Sequence, residues 1–81
     1  MPRVTLSGPM KTAAGGRGAC DIDAKTIHEL LERVAEAFPR LKPHFERGVA
    51  VAVDGEIYRD DWFRPLSPDS EVVILPRMAG G

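Results

Sequence analysis

Cysteine is nearly absent from this chain, which carries only Cys20. A lone thiol closes no internal disulfide, so a small secreted scaffold held by cross-links is excluded. No apolar run approaches the roughly 20 residues that a membrane-crossing helix needs. Met1-Pro2-Arg3-Val4 passes straight into a strand pattern, without the apolar stretch of a secretory signal. These features predict a reduced, cytoplasmic protein with no membrane partner. Neither sign of charge dominates: 11 Lys and Arg stand against 12 Asp and Glu, for a net charge of -1. Without a positive excess to engage phosphate backbones, no nucleic-acid partner is expected. The one locally basic stretch, residues 40–47, reads as a solvated face near a helix end.

Metal and phosphate motifs are missing too. There is no CxxC or HExxH pattern, and His28 and His44 lie too far apart in sequence to specify a site, so no metal is predicted. Gly15-Gly16-Arg17-Gly18 lacks the Gly-Lys-Ser/Thr ending of a phosphate loop and does not open a helix. At 81 residues the chain makes one domain with a small core. An enclosed active site would consume core that it can hardly spare. Its chemistry is therefore expected on the surface or in a tail.

What is present is a strand and helix pattern. Residues 3–7 alternate, with Val4 and Leu6 on one face, and predict a half-buried strand. Gly8-Pro9 stops it, and the glycines of residues 11–18 predict a loose hairpin loop. Cys20 and Ile22 alternate with Asp21 and Asp23 in a second strand, where Cys20 is expected to act as a small core residue. Thr26-Ile27-His28-Glu29 fits a capping box. Ile27, Leu30, Leu31, Val34, Ala35 and Phe38 then form one apolar stripe at helical spacing, until Pro39 ends it. Val49-Ala50-Val51-Ala52-Val53 is a third strand, and the tight-turn pair Asp54-Gly55 leads into Glu56-Ile57-Tyr58. Trp62 and Phe63 sit in coil, either capping the core or forming a docking patch. Val72-Val73-Ile74-Leu75 reads as a central strand covered on both faces, with Pro76 marking its end. One helix serving one mixed sheet gives an α+β roll. If the last strand lies beside the first, the roll is a β-grasp, with four or five strands packed on one main helix.

Residues 76–81 are read as a flexible tail beyond a domain of residues 1–75. Extended, these six residues reach roughly 20 Å. Gly80 and Gly81 lack Cβ atoms, so the backbone can thread a narrow channel. The terminal carboxyl group, with a reference pKa of about 3.3–3.7, is an anion at neutral pH. A partner enzyme could join it to the α-phosphate of ATP. A sulfur nucleophile would then give a thiocarboxylate, and an amine would give an amide. A Gly-Gly end alone is equally compatible with an inert terminus.

Three stretches resemble the MoaD/ThiS sulfur-carrier family. They are Val51-Ala52-Val53-Asp54-Gly55-Glu56, then Pro65-Leu66-Ser67-Pro68-Asp69-Ser70-Glu71-Val72, then Ile74-Leu75-Pro76-Arg77-Met78-Ala79-Gly80-Gly81. The family pattern is similar to V-N-G-E, P-L-x-D-G-D-E-V and L-P-x-V-A-G-G. Asp54 stands where Asn is usual, and Met78 where Val is commoner. The tail and Phe38-Pro39-x-Leu41 look like the molybdopterin-synthase small subunit and the cysteine-biosynthesis carrier. Glu56-Ile57-Tyr58-Arg59-Asp60-Asp61-Trp62 is similar to the thiamine carrier.

The resemblance implies a ubiquitin-like carrier that is not itself an enzyme and holds no permanent cofactor. ATP would be used by an adenylyltransferase of the ubiquitin-activating type, acting on Gly81. A sulfurtransferase or sulfide source would convert the end to a thiocarboxylate, for use by a downstream synthase subunit. Molybdopterin biosynthesis is the leading expectation, with thiamine and cysteine as the other pathways. Pro76, Arg77, Met78, Ala79 and Gly80 would be the partner-binding residues, with Trp62 and Phe63 as further docking candidates. Two alternatives remain: a modifier conjugated through Gly81, and a non-catalytic interaction module.

Overall fold

Val4 and Leu6 are buried while Arg3 and Thr5 are exposed, so alternation makes β1 (Arg3–Leu6) a strand with one wet face. The computed structural model describes residues 1–16 and 18–76. After β1 come α1 (Pro9–Ala13), β2 (Ala19–Asp21), α2 (Ile27–Ala37), a 3₁₀ turn (Pro39–Leu41) and α3 (Lys42–Arg47). The chain closes with β3 (Val49–Val53), β4 (Glu56–Tyr58) and β5 (Glu71–Pro76). Among the described residues, five strands form one mixed sheet in the order β2-β1-β5-β3-β4. β5 lies parallel to β1 and antiparallel to β3, and the two hairpins β1–β2 and β3–β4 flank it. A parallel central pair between two hairpins, with helices filling the crossover, is the ubiquitin-like β-grasp.

α2 supplies the main helical face. Thr26 is its N-cap: the hydroxyl accepts from the Glu29 amide at 3.2 Å. The Glu29 carboxylate reaches back one residue further than a capping box requires and accepts from the Lys25 amide at 3.0 Å. Ile27, Leu30 and Val34 are fully buried against Val4, Leu6, Val51, Val72 and Ile74 of the sheet. Leu31, Ala35 and Phe38 are only half-buried. The apolar stripe is wider than the contact with the sheet, and its second edge is left at the surface.

Three sequence expectations change. The connection after β1 is no simple loop: residues 9–13 make the short helix α1. Proline at the first helical position costs nothing there, because that amide has no partner within the helix. Gly8, at φ 62°, turns the chain into it. The helix is pinned by Met10, whose burial is complete and contributes about 2 kcal/mol. Residues 40–47 are not merely a solvated face. They take in the end of the 3₁₀ turn and all of α3, with Leu41 fully buried and Phe45 packed on the core's edge. Finally, β5 is central in the sheet but not covered on both faces. Val72 and Ile74 point into the core, while Val73 and Leu75 stay half-exposed on the other side. β5 also runs one residue past its apolar run, with Pro76 opposite Val49.

The two leucines of α2 test this packing. Leu30→Asp puts an unpaired charge in the core and should leave no cooperative melting transition. Leu31→Asp, at the rim, should keep a native circular dichroism spectrum with a Tm lowered by about 10 °C.

Candidate functional site

The end of β5 and the open face of the sheet define the site. Paired residues share a face, so the register puts Thr5, Val73, Ala52 and Ile57 in one row across four strands, and Leu75 beside Ala50 in the next. None of these residues belongs to the core cluster, which gathers on the opposite face around α2. Ile57 is 58% exposed. Val73, Leu75 and Ala52 are half-exposed, and Ala50 is buried. The result is an apolar strip from β4 to β5, bordered by Arg3, Thr5 and Glu71 on the exposed side of β1 and the start of β5.

The strip is held in register by a clamp at the start of β5. Asp54 and Gly55 both have positive φ, 48° and 90°, the geometry of a tight hairpin turn between β3 and β4. Asp tolerates this conformation because its short polar side chain bonds locally. Here its carboxylate accepts from the Glu71 amide at 2.9 Å, while its own amide donates to the Glu71 carbonyl at 2.9 Å. The turn before β5 is closed by Ser70, which is buried: its hydroxyl accepts from the Ser67 amide at 2.9 Å and lies 3.1 Å from the Ser67 hydroxyl. Ser70 in turn offers its carbonyl to the Arg3 amide at 3.0 Å. Sequence reasoning marked Asp54 as a departure from a family pattern and missed that it and Ser70 anchor the same strand.

Trp62 and Phe63, named together from the sequence, part company. Trp62 is half-buried and packs on the core, and its carbonyl accepts from the His28 amide at 2.7 Å. Phe63 is 77% exposed and lies 5.6 Å, centroid to centroid, from the His28 ring. Nearby, Arg64 donates to the Tyr58 hydroxyl at 3.2 Å and sits 5.1 Å from that ring's centroid. The hydrogen bond to Tyr58, followed by charge interaction with it, raises the Arg64 pKa above its ordinary range.

Of the tail residues singled out from the sequence, Pro76 closes β5. Arg77, Met78, Ala79, Gly80 and Gly81 lie outside the described residues. Cys20 pairs with Val4 across β1–β2 and is half-buried at the core's edge. Among the described residues no group of His, Cys, Asp and Glu gathers in a geometry for a metal ion. No described helix is long and apolar enough to cross a membrane.

The profile of the ThiS family matches residues 4–81. The chain belongs to the ThiS family. That match runs through Asp54, Ser70 and the whole of the tail. Among solved structures, the chain resembles small archaeal modifier protein 1 from Methanosarcina acetivorans, with a TM-score of 0.82 at 18% identity over 99% of this chain and 95% of that one. It also resembles the Amycolatopsis orientalis BexX/CysO complex, with a TM-score of 0.80 at 20% identity over 100% of each chain. The Haloferax volcanii modifier protein of the same name follows at 0.73 and 20% identity, over 99% and 98%. At these identities the structural likeness establishes the shared fold. No curated protein sequence matches. The ThiS assignment makes this a member of a ubiquitin-like sulfur-carrier family.

The clamp is open to test. Asp54→Ala places a residue without a local acceptor at positive φ and removes the bond to Glu71, and should cost about 2 kcal/mol. Asp54→Asn keeps both features and should cost about 0.5 kcal/mol or less. Denaturant unfolding of the two variants checks the difference.

Proposed function

We propose that this chain is a sulfur carrier that works through the carboxylate of Gly81 and performs no catalysis itself. The observation that carries the reading is the ThiS-family match extending to residue 81, which takes in Gly80 and Gly81. In the first step a carboxylate oxygen of Gly81 attacks the α-phosphorus of ATP. Pyrophosphate leaves, and the end becomes an acyl-adenylate. In the second, hydrosulfide attacks the carbonyl carbon and AMP leaves, so that the end carries a thiocarboxylate. The charge on the triphosphate is met by groups of the activating partner, a ubiquitin-activating-type adenylyltransferase. A synthase subunit then takes the sulfur, in molybdopterin biosynthesis ahead of thiamine or cysteine biosynthesis.

The body of the protein supports this work by presentation. The tail follows β5, the strand held on both sides by the sheet, so its point of departure is fixed. The apolar strip around Ile57, Val73 and Leu75 shares the exposed face of the sheet with that strand. An activating enzyme that covers the strip would hold the base of the tail at a set distance from its nucleotide site. Arg77, Met78 and Ala79 would then line the entry channel, with the glycines passing its narrowest part.

A second reading has a specific observation in its favour. Two of the structural neighbours are named as modifier proteins. Adenylation is common to both readings, which diverge when either sulfur or a lysine amine attacks the adenylate.

Incubation with ATP, sulfide and the activating enzyme of the same organism should yield a species in which one oxygen is replaced by sulfur, found in the C-terminal fragment by mass spectrometry. One residue appended after Gly81 should abolish that species without changing Tm. Ile57→Asp should fold normally and lower the rate of adenylation at limiting chain concentration by about tenfold, through lost docking. Lysine-linked conjugates in cells, without a thiocarboxylate form, would favour the modifier.

A further inference from the structure

The helical side of the molecule carries a second surface, unrelated to the sheet face. His28, Leu31, Glu32 and Ala35 of α2 face Lys42, Phe45 and Glu46 of α3 across an open groove of about 220 Å³. Its floor is the outer edge of the α2 stripe, left half-exposed because α3 covers it only partly. Phe63 extends this apolar surface beyond His28. For scale, a cavity of about 150 Å³ accepts a benzene ring. The groove therefore has room for a leucine or phenylalanine side chain.

Charge selects among the occupants. Glu32 and Glu46 border the groove, against the single ammonium of Lys42. Glu29, Glu32 and Glu36 continue along α2 as a ridge, with Arg33 among them. The Glu32 carboxylate is 2.7 Å from His28 Nε2, and Glu29 is 3.8 Å from Arg33. Glu36 and Glu46 have no cation within ion-pair distance among the described residues. A second copy related by a two-fold axis would set this ridge against itself. An anionic lipid surface would be repelled by Glu32 and Glu46 at the groove itself, which Arg40 and Arg47 of the adjoining basic stretch do not line. A basic segment would gain from both the acids and the apolar floor.

We propose that the α2–α3 groove is a docking site for an amphipathic, lysine- or arginine-rich segment of a partner protein, with an apolar anchor seated on Leu31, Ala35 and Phe45. The groove lies on the helical layer, away from the open face of the sheet. A partner held there leaves the strip around Ile57 and the base of the tail accessible to another protein. The carrier can then be tethered to one protein while a second works on its end. Glu32 and Glu46 guide the basic segment, and Phe63 closes over its apolar side.

The test is a titration of the full ¹⁵N-labelled chain with a synthetic helix of leucine and lysine, about four turns long, with leucine at helical spacing. Amide shifts should concentrate at Leu31, Ala35, Phe45, Glu46 and Phe63. Phe63→Ser, at a position 77% exposed, should weaken binding about fivefold. Glu32→Lys should weaken it about tenfold, and more at low salt than at high salt. A matched leucine and glutamate peptide should not bind. Shifts centred on Ile57 and Val73, or equal binding by both variants, would overturn the proposal. So would peptide-independent shifts at the groove that grow with protein concentration, which would assign it to a second copy. None of these readouts depends on thiocarboxylate formation, so failure here leaves the carrier reading standing.

Discussion

The placement of β5 between β1 and β3 is the constraint on which the molecule depends. β5 comes last among the strands, yet it occupies the middle of the sheet, joining the hairpin formed first in the sequence to the one formed in its second half. Without it there are two separate hairpins, and isolated hairpins are marginal in water. Its inner residues Val72 and Ile74 are fully or almost fully buried, and they meet the face of α2 that carries Ile27, Leu30 and Val34. The entropy of closing these long loops is recovered only when β5 docks. A fold arranged this way couples the integrity of the core to the strand from which the tail departs.

The same strand explains why its start is so firmly tied. A slip of one residue would move Val72 and Ile74 to the wet face and Val73 into the core. Asp54 and Ser70 oppose that slip from two directions. Asp54 exchanges hydrogen bonds with Glu71 from the β3–β4 turn, and Ser70 closes the preceding turn while bonding to Arg3 of β1. Each residue combines side-chain with backbone hydrogen bonding. The register in turn keeps the apolar strip of Val73, Leu75, Ala52 and Ile57 continuous.

Much of this was legible in the sequence, for reasons tied to particular residues. β3 and β4 were readable because a valine and alanine run meets Asp54-Gly55, a pair that suits two successive positive φ angles. The N-terminus of α2 was readable from Thr26 and Glu29. α1 and α3 were not, because five or six residues are too short for a period to emerge. Pro9 and Pro43 resemble breakers unless they are known to sit in a first turn. The openness of one face of β5 was also hidden. Val72-Val73-Ile74-Leu75 has no alternation, and an unbroken apolar run looks the same whether its outer face is covered by a helix or kept for a partner. The split between Trp62 and Phe63 depends on the path of the coil through residues 60–65, which no local pattern specifies.

An apolar outer face on a central strand has a physical cost that bears on function. Val73 and Leu75 add nothing to the core, and exposed apolar patches raise the risk of association. Under the proposed carrier function, in which the tail is delivered into other proteins, that exposure is useful. Binding through a preformed sheet face orders few side chains, so little of the contact free energy is lost to entropy. A carrier must also be released after each transfer, which favours a modest apolar strip over a large hydrophobic interface. Thr5 and Ala52 flank Val73 with small side chains. The strip is therefore shallow, suited to a partner whose specificity comes from the tail it accepts as much as from the face it covers.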